Sequence, residues 1–324
     1  RNRTAAAFGA LGLGELPIGD KHMKLLVAYI ATSGGADAVA LGSSLARTLD
    51  ADLELCVVNP PDPHATGADE QSDIAKLSDA LDHAAQAWLD DAAAMIPDDI
   101  ETTATIATDA NPALGLIRQA QKSGADVIVM GGSGGGILGR HTLGSVVNGM
   151  LHSSPIPVAL APLGFSHVGA EKVRELTVMI GHRPGTDLLF QTAIRAGLRA
   201  HRPIRMVSLV ALDEVQPWAD TPDELAVSDA RKHAQSTLDE ALRRLPTDFP
   251  ISSTIAQGHT IEEAVSSLEW HDGDVIMVGS SRLAAPNTIF LGSTASKILR
   301  ALSIPMIVVP GTDADTPADL NPDH

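Results

Sequence analysis

The residues best placed for chemistry lie between positions 127 and 162. A β-branched run, Val127-Ile128-Val129-Met130, passes into Gly131-Gly132-Ser133-Gly134-Gly135-Gly136-Ile137-Leu138-Gly139, and a helical pattern opens at Gly144-Ser145. Glycines lack the Cβ that keeps a ligand off the backbone. A glycine-dense turn from strand to helix therefore lets amide N–H groups close around an anion, whose charge the helix dipole favours. The pattern is that of a phosphate cradle.

Other motifs overlap this one. Gly134-x-Gly136-x-x-Gly139 has dinucleotide-fingerprint spacing, but that fingerprint belongs in a first strand–helix unit with an acidic residue about 20 positions on. Here it precedes the last strand of its domain. Gly134 to Gly139 also spaces like a P-loop, yet Arg140-His141 stand where Lys-Ser/Thr would meet the outer phosphates and magnesium. Gly131-x-Ser133-x-Gly135 spells a nucleophile elbow, which would make Ser133 a hydrolase nucleophile. No helix follows that serine directly, and downstream in the same half only His141, His152 and His167 remain, with no Asp. The twelve histidines show no H-x-x-x-H and no His/Cys pair at ligand spacing, so no metal site is expected beyond magnesium accompanying a nucleotide.

The elements that must position the loop follow from periodicity. Strands are expected at Leu25 to Ile30, Leu53 to Val58, Thr102 to Thr108, Val127 to Met130 and Val158 to Ala161. Helices are expected at Ala36 to Leu49, Asp69 to Met95, Pro112 to Lys122 and Leu143 to Leu151. Asn111 before Pro112 is a good N-cap followed by proline at the first helical position. Short β-branched runs alternating with helices make a parallel sheet covered on both faces.

The unit then repeats. Strands fall at Leu176 to Ile180, Ile204 to Val210, Ile251 to Ala256, Val275 to Val278 and Met306 to Val309; helices fall at Thr186 to Ala200, Asp223 to Leu245, Ile261 to Leu268 and Thr294 to Leu302. Gly131 and Gly279, Gly144 and Gly292, Ser145 and Ser293, and Pro157 and Pro305 are each 148 apart. The expected organisation is an N-terminal arm over 1–22, vector-derived if Met23 is the native start, a domain over 23–164, a second over 172–310, and a disordered acidic tail over 311–324.

Composition removes several classes of function. Of 324 residues, 23 are Lys or Arg and 40 are Asp or Glu, a net charge of −17. The halves split at residue 165 carry −10 and −7. No basic patch offsets this, and aromatics are only 3 %, so neither nucleic acid nor an anionic membrane is an expected partner. No apolar run reaches 18 residues, which excludes a spanning helix. The single cysteine, Cys56, sits in an apolar strand and reads as a buried small hydrophobe, and a cytoplasmic location is the default. Trp88, Trp218 and Trp270 read as packing residues.

One spacing fits the whole arrangement: Gly131-x2-Gly134-x9-Gly144-Ser145, followed by Pro155-Ile156-Pro157-Val158-Ala159-Leu160-Ala161. It resembles the universal stress protein family over about residues 24–162 and again 174–310. The resemblance implies an α/β fold of two tandem doubly wound five-stranded parallel sheets, strand order 3-2-1-4-5, of the adenine-nucleotide α-hydrolase-like type. It also implies ATP or another adenine nucleotide at the carboxyl ends of strands 1 and 4. Carried over by position, Gly131 and Gly134 approach ribose and phosphates, Gly144, Ser145 and Val146 bind phosphates at the helix start, and Ala31, Thr32 and Val58 flank the adenine.

Two departures accompany the match. The family's ATP-binding members usually carry an Asp after strand 1, where this chain has Ile30. In the second repeat Gly279, Gly292 and Ser293 are present, but Arg282 takes the second glycine's place, where it either blocks the pocket or pairs with a phosphate. The family's last strands pair across a dimer interface, which implies an internal pseudo-dimer of the two repeats, with a homodimer of chains beyond it. The function so implied is a stress-response regulator with at most slow ATP hydrolysis, since no general base stands beside the loop. The alternatives are a nucleotide-independent interaction module and a Ser133 hydrolase.

Overall fold

The computed structural model describes residues 22–61, 73–132, 141, 143–180, 186–215, 224–243, 250–281, 284 and 287–311. The first repeat runs β1 (Met23–Ala28), α1 (Ser33–Leu49), β2 (Ala51–Asn59), α2 (Asp73–Ala93), β3 (Thr102–Thr108), α3 (Pro112–Ser123), β4 (Val127–Gly131), α4 (Ser145–Met150) and β5 (Val158–Ala161). A short α5 (Phe165–Val168) leads to the second repeat. That repeat comprises β6 (Glu175–Ile180), α6 (Thr186–Ala200), β7 (Ile204–Ala211), α7 (Leu212–Val215), α8 (Glu224–Arg243), β8 (Ile251–Gly258), α9 (Ile261–Ser266), β9 (Asp274–Gly279), α10 (Ser293–Ala301) and β10 (Met306–Val309).

All ten strands join one sheet in the order β3-β2-β1-β4-β5-β10-β9-β6-β7-β8. Within each repeat the order is 3-2-1-4-5 and every pairing is parallel. The repeats meet where β5 and β10 pair antiparallel, Leu160 opposite Met306, Ala159 opposite Ile307 and Val158 opposite Val308. Every residue of both strands is buried.

Side chains alternate across each strand and sort into two cores. Leu25, Val27, Leu53, Leu55, Val129 and Ile307 pack on one face, while Leu26, Cys56, Ile128, Val158, Leu160 and Val308 pack on the other. Cys56 is 1 % exposed, and burial, with Glu54 beside it, pushes its thiol up to about 12. A thiol so shifted is an inert packing residue at neutral pH. Aliphatic side chains with few rings suit this arrangement, because helix ridges on a twisted parallel sheet leave layers shaped for Val, Leu and Ile.

The structure departs from the periodicity at two places that matter for the site. β1 ends at Ala28 rather than Ile30, although the Tyr29 N–H still donates to Cys56 O at 2.9 Å. Thr32 then caps α1, its Oγ1 accepting from Gly35 N at 3.3 Å, so the helix begins at Ser33 instead of Ala36. The stretch from Gly164 to Lys172, which carries no periodic pattern, contains the helical turn α5. Asp37, 0 % exposed on α1, fixes that turn by accepting from Gly164 N at 2.7 Å and Ser166 N at 2.8 Å. A buried carboxylate holding two backbone donors makes strong charge-assisted bonds, and its loss strands both donors. Asp37→Ala is therefore expected to lower unfolding stability by about 2–4 kcal/mol. Urea unfolding of the full chain measures this, and a change below about 0.5 kcal/mol contradicts the assignment.

Candidate functional site

The sheet reverses direction of winding between β1 and β4, so their carboxyl ends border the crevice where open α/β sheets take ligands. Gly131 closes β4, pairing with Ala161 of β5. A Cβ on Gly131 would lie 1.8 Å from Gly34 O, and one on Gly34 would lie 1.7 Å from Gly132 O. The first turn of α1 thus rests backbone on backbone against the end of β4. Gly131 must be glycine for this packing alone, whatever it does for a ligand.

Beyond that contact a narrow crevice is lined by Gly131, Gly132, His141, Leu143, Val147, Leu160 and Ala161. Gly144 caps α4 with an extended backbone, φ −73° and ψ 171°, and no side chain caps that end. Ser145 is exposed and Val146 half-buried at the helix start. Gly134, Ser133 and Arg140 lie outside the described residues.

On the base side, Ala31 and Thr32 are exposed after β1, and Thr32 is engaged as the α1 cap. Val58, one residue before the end of β2, has its side chain turned to α3, where a Cβ on Gly115 would lie 2.7 Å from it. Only its backbone therefore borders the sheet end. Ile30 is 56 % exposed, an apolar surface where the resemblance expects a carboxylate.

His141, which stands at the Ser/Thr position of the P-loop spacing, bonds across to the second repeat. Its Nε2 lies 2.8 Å from the carbonyl oxygen of Ile304 in the second repeat, and a carbonyl only accepts, so Nε2 carries the proton and donates. Burial pushes the imidazole down to about 4, against the opposing pull of that hydrogen bond. The ring is neutral at physiological pH and serves the contact between repeats. No signal in the sequence marks Ile304 as its partner.

The corresponding loop end in the second repeat is folded on itself. Ser281 N donates to Phe290 O at 2.8 Å, Phe290 N donates to Ser280 Oγ at 2.7 Å, and Ser280 N donates to Val309 O at 2.8 Å. Ser281 is buried, and a Cβ on Gly292 would lie 3.2 Å from its Cβ. The backbone N–H groups of Ser280, Ser281 and Phe290 are thereby bonded. Ser293 is exposed at the start of α10, and Arg282 lies outside the described residues. Among the described residues no group of three or more His, Cys, Asp or Glu could hold a metal ion, and no helix is long and apolar enough to cross a membrane. Trp270 packs over the second repeat, its Nε1 donating to Val265 O at 2.9 Å, Trp88 packs against the core, and Trp218 lies outside the described residues.

Fold and site together define a duplicated, doubly wound α/β protein with a glycine loop at the switch point of its first sheet. The sequence profile of the universal stress protein family matches residues 22–162 and again 173–310, and the chain belongs to that family. Universal stress proteins of Mycobacterium tuberculosis and Mycobacterium bovis are each 24 % identical over 306 residues, covering 89 % of this chain and all of theirs. The crystal structure of a universal stress protein from Archaeoglobus fulgidus shares the fold over 89 % of this chain and 98 % of its own, with a TM-score of 0.62 at 18 % identity.

Two measurements check the geometry. Gly131→Ala forces a carbon into the Gly34 carbonyl and is expected to cost about 2–3 kcal/mol or more, whereas Gly279→Ala, whose Cβ among the described residues meets only Leu189 at 3.6 Å, stays within about 1 kcal/mol. Equal losses in paired denaturant melts would contradict the backbone contact. For His141, the proton is bound more tightly in the unfolded chain, at an ordinary value near 6.5, than in the fold. Its favourable neutral burial is present above pH 6.5 and lost as pH falls towards 4. Wild type is expected to lose stability relative to His141→Gln by at most about 1.4 kcal/mol per pH unit across that window. A pH-independent difference contradicts the assignment.

Proposed function

We propose that this chain is a cytoplasmic stress-response regulator that binds ATP or another adenine nucleotide in its first repeat, magnesium accompanying the phosphates. The observation that carries the reading is the spacing Gly131-x2-Gly134-x9-Gly144-Ser145 at the carboxyl end of β4, beside the switch point and next to an uncapped helix start. In an acidic chain an anion is held by backbone amides rather than by a basic cluster. Gly131, Gly144, Ser145 and Val146 take the phosphates, with Gly134 completing the loop, and Ala31, Thr32 and the Val58 backbone flank the base. The second repeat, with Ser280, Ser281 and Phe290 bonded to one another, serves mainly as the structural partner, and Gly279, Arg282, Gly292 and Ser293 are the less favoured place for nucleotide. The repeats correspond to units 23–164 and 172–310, flanked by the arm 1–22 and the tail 311–324. No proficient catalysis is assigned; His141, the imidazole lining the crevice, has its Nε2 proton engaged by the Ile304 carbonyl.

A second reading, a nucleotide-independent interaction module, is favoured by one observation, the exposed Ile30 on the base side. Nucleotide released on denaturing the purified chain, together with thermal melts in ATP, separates the two. Ligand at a hundredfold excess over Kd adds about 2.7 kcal/mol, which raises the Tm by several degrees. Ser145→Asp sets a carboxylate where the phosphates lie while favouring the helix start, so it should keep the fold and weaken ATP about ten-fold or more. Ser293→Asp should leave ATP binding unchanged. If no nucleotide is released and millimolar ATP leaves the Tm unmoved, the interaction-module reading holds instead.

A further inference from the structure

The six-residue helix α4 has its two ends in different repeats' business. Its start borders the first-repeat crevice, and three residues before Gly144 the His141 ring reaches across to Ile304, which precedes Pro305 and β10. Its far end is held by the second repeat as well. Leu291 N donates to Leu151 O at 3.0 Å and Ile289 N donates to Ser154 O at 2.8 Å. Between those bonds the Phe290 ring stands edge-on to His152, centroids 4.8 Å apart. Leu151, Ser154 and Ile289 are all 0 % exposed.

Burial gives these bonds their leverage. Shifting α4 along its axis would leave the Ile289 and Leu291 N–H groups without acceptors in a dry interface, which costs far more than losing the same bonds in water. The donating stretch is itself tied inward, through Ser281 N to Phe290 O and Phe290 N to Ser280 Oγ. A displacement at the start of α4 therefore cannot be absorbed at its end, and passes to the Ser280–Phe290 loop and to β10.

We propose that residues 141–154 form a link by which the second repeat sets the state of the first-repeat site and registers its occupancy. The proposal rests on reading that crevice as the ligand site. Whatever the second repeat's loop does to nucleotide affinity, nucleotide does equally to the seating of that loop, because coupling between two equilibria is reciprocal. In this scheme the bonded Ser280, Ser281 and Phe290 of the second repeat are the sensor element. The coupling runs through contiguous hydrogen-bonded contacts rather than through distance alone.

Hydrogen exchange of the full chain, with ATP as the probe, tests this. Phe290→Ala removes the ring contact but keeps its backbone bonds; His152→Ala, on the exposed side of the same contact, replaces it if that variant does not fold. Either is expected to speed exchange of amides 145–150 about five-fold or more while amides 112–123 of α3 stay unchanged, and to weaken ATP about three-fold or more. His141→Ala is expected to speed exchange at 287–291 in the other repeat. ATP added to wild type should slow exchange at 289 and 291. Folded variants with unchanged exchange across the seam overturn the link. If ATP moves neither the Tm nor any amide, the nucleotide reading fails, and the exchange of the ligand-free variants still decides whether the link exists.

Discussion

Everything in this molecule hangs on the antiparallel pairing of two four-residue strands. Each repeat is a parallel sheet whose last strand would otherwise present an unpaired edge of Val, Ala and Leu, or Met, Ile and Val, to water. Exposed apolar edges of that kind recruit other chains. Joining Val158–Leu160 to Met306–Val308 removes both edges and turns two five-stranded sheets into one. The prolines that precede these strands keep matching roles, with Ile128 N donating to Pro157 O and Ile276 N to Pro305 O, both at 2.9 Å. Because a proline carries no N–H, the strand starts there without a donor to satisfy. The two-fold relation at the seam also places the loop after each fourth strand against the other repeat, so the seam that stabilises the fold is also the surface on which the candidate site lies.

The two loops answer that placement differently. In the first repeat the end of β4 is pressed against Gly34, and the far side of Gly131 and Gly132 opens on the crevice. In the second, Gly279 meets Leu189 among the described residues, and Ser281 lies between β9 and the start of α10. One loop end is held by its neighbour helix and by His141, while the other is held by its own serines and Phe290. Among the described residues the first repeat thus carries a narrow crevice, and the second a set of internal bonds at the equivalent place.

Much of this was legible in the sequence because it depends on local chemistry. The 148-residue offset marks the duplication, Asn111-Pro112 marks the start of α3, whose N–H groups at Ala113 and Leu114 the Asn111 side chain accepts, and β-branched runs mark the strands. The family's spacing brought the strand order with it. What stayed hidden are contacts between residues far apart in the chain. Nothing local reveals that Asp37 holds Gly164 and Ser166, that His141 reaches Ile304, or that Gly131 is shaped by Gly34. For Gly131 the loop spacing suggests only a ligand as its reason, whereas a helix turn 97 positions earlier in the chain already requires a glycine there.

The same logic explains how far the repeats have diverged inside. Leu26 of β1 pairs with both Glu54 and Ile128, and Thr177 of β6 pairs with both Arg205 and Ile276, so Glu54 and Arg205 hold equivalent positions with opposite charges. Each charge is met within its own repeat. Glu54, 3 % exposed, accepts from Thr105 Oγ1 at 3.0 Å and Gln119 Nε2 at 2.5 Å, its Oε2 remaining without a hydrogen-bond partner. Arg205 donates to Thr177 Oγ1 and the Glu269 carbonyl, pairs with Glu175 at 3.3 Å, and lies over the Trp270 ring. A buried charge stays only if its partners change with it. Inside one repeat those partners lie in one unit and can drift together. Across the seam a change in one repeat must be matched in the other, which leaves less freedom there. The backbone bonds of Ile289 and Leu291, which depend on no side-chain identity, are the kind of contact that can persist while the interiors diverge.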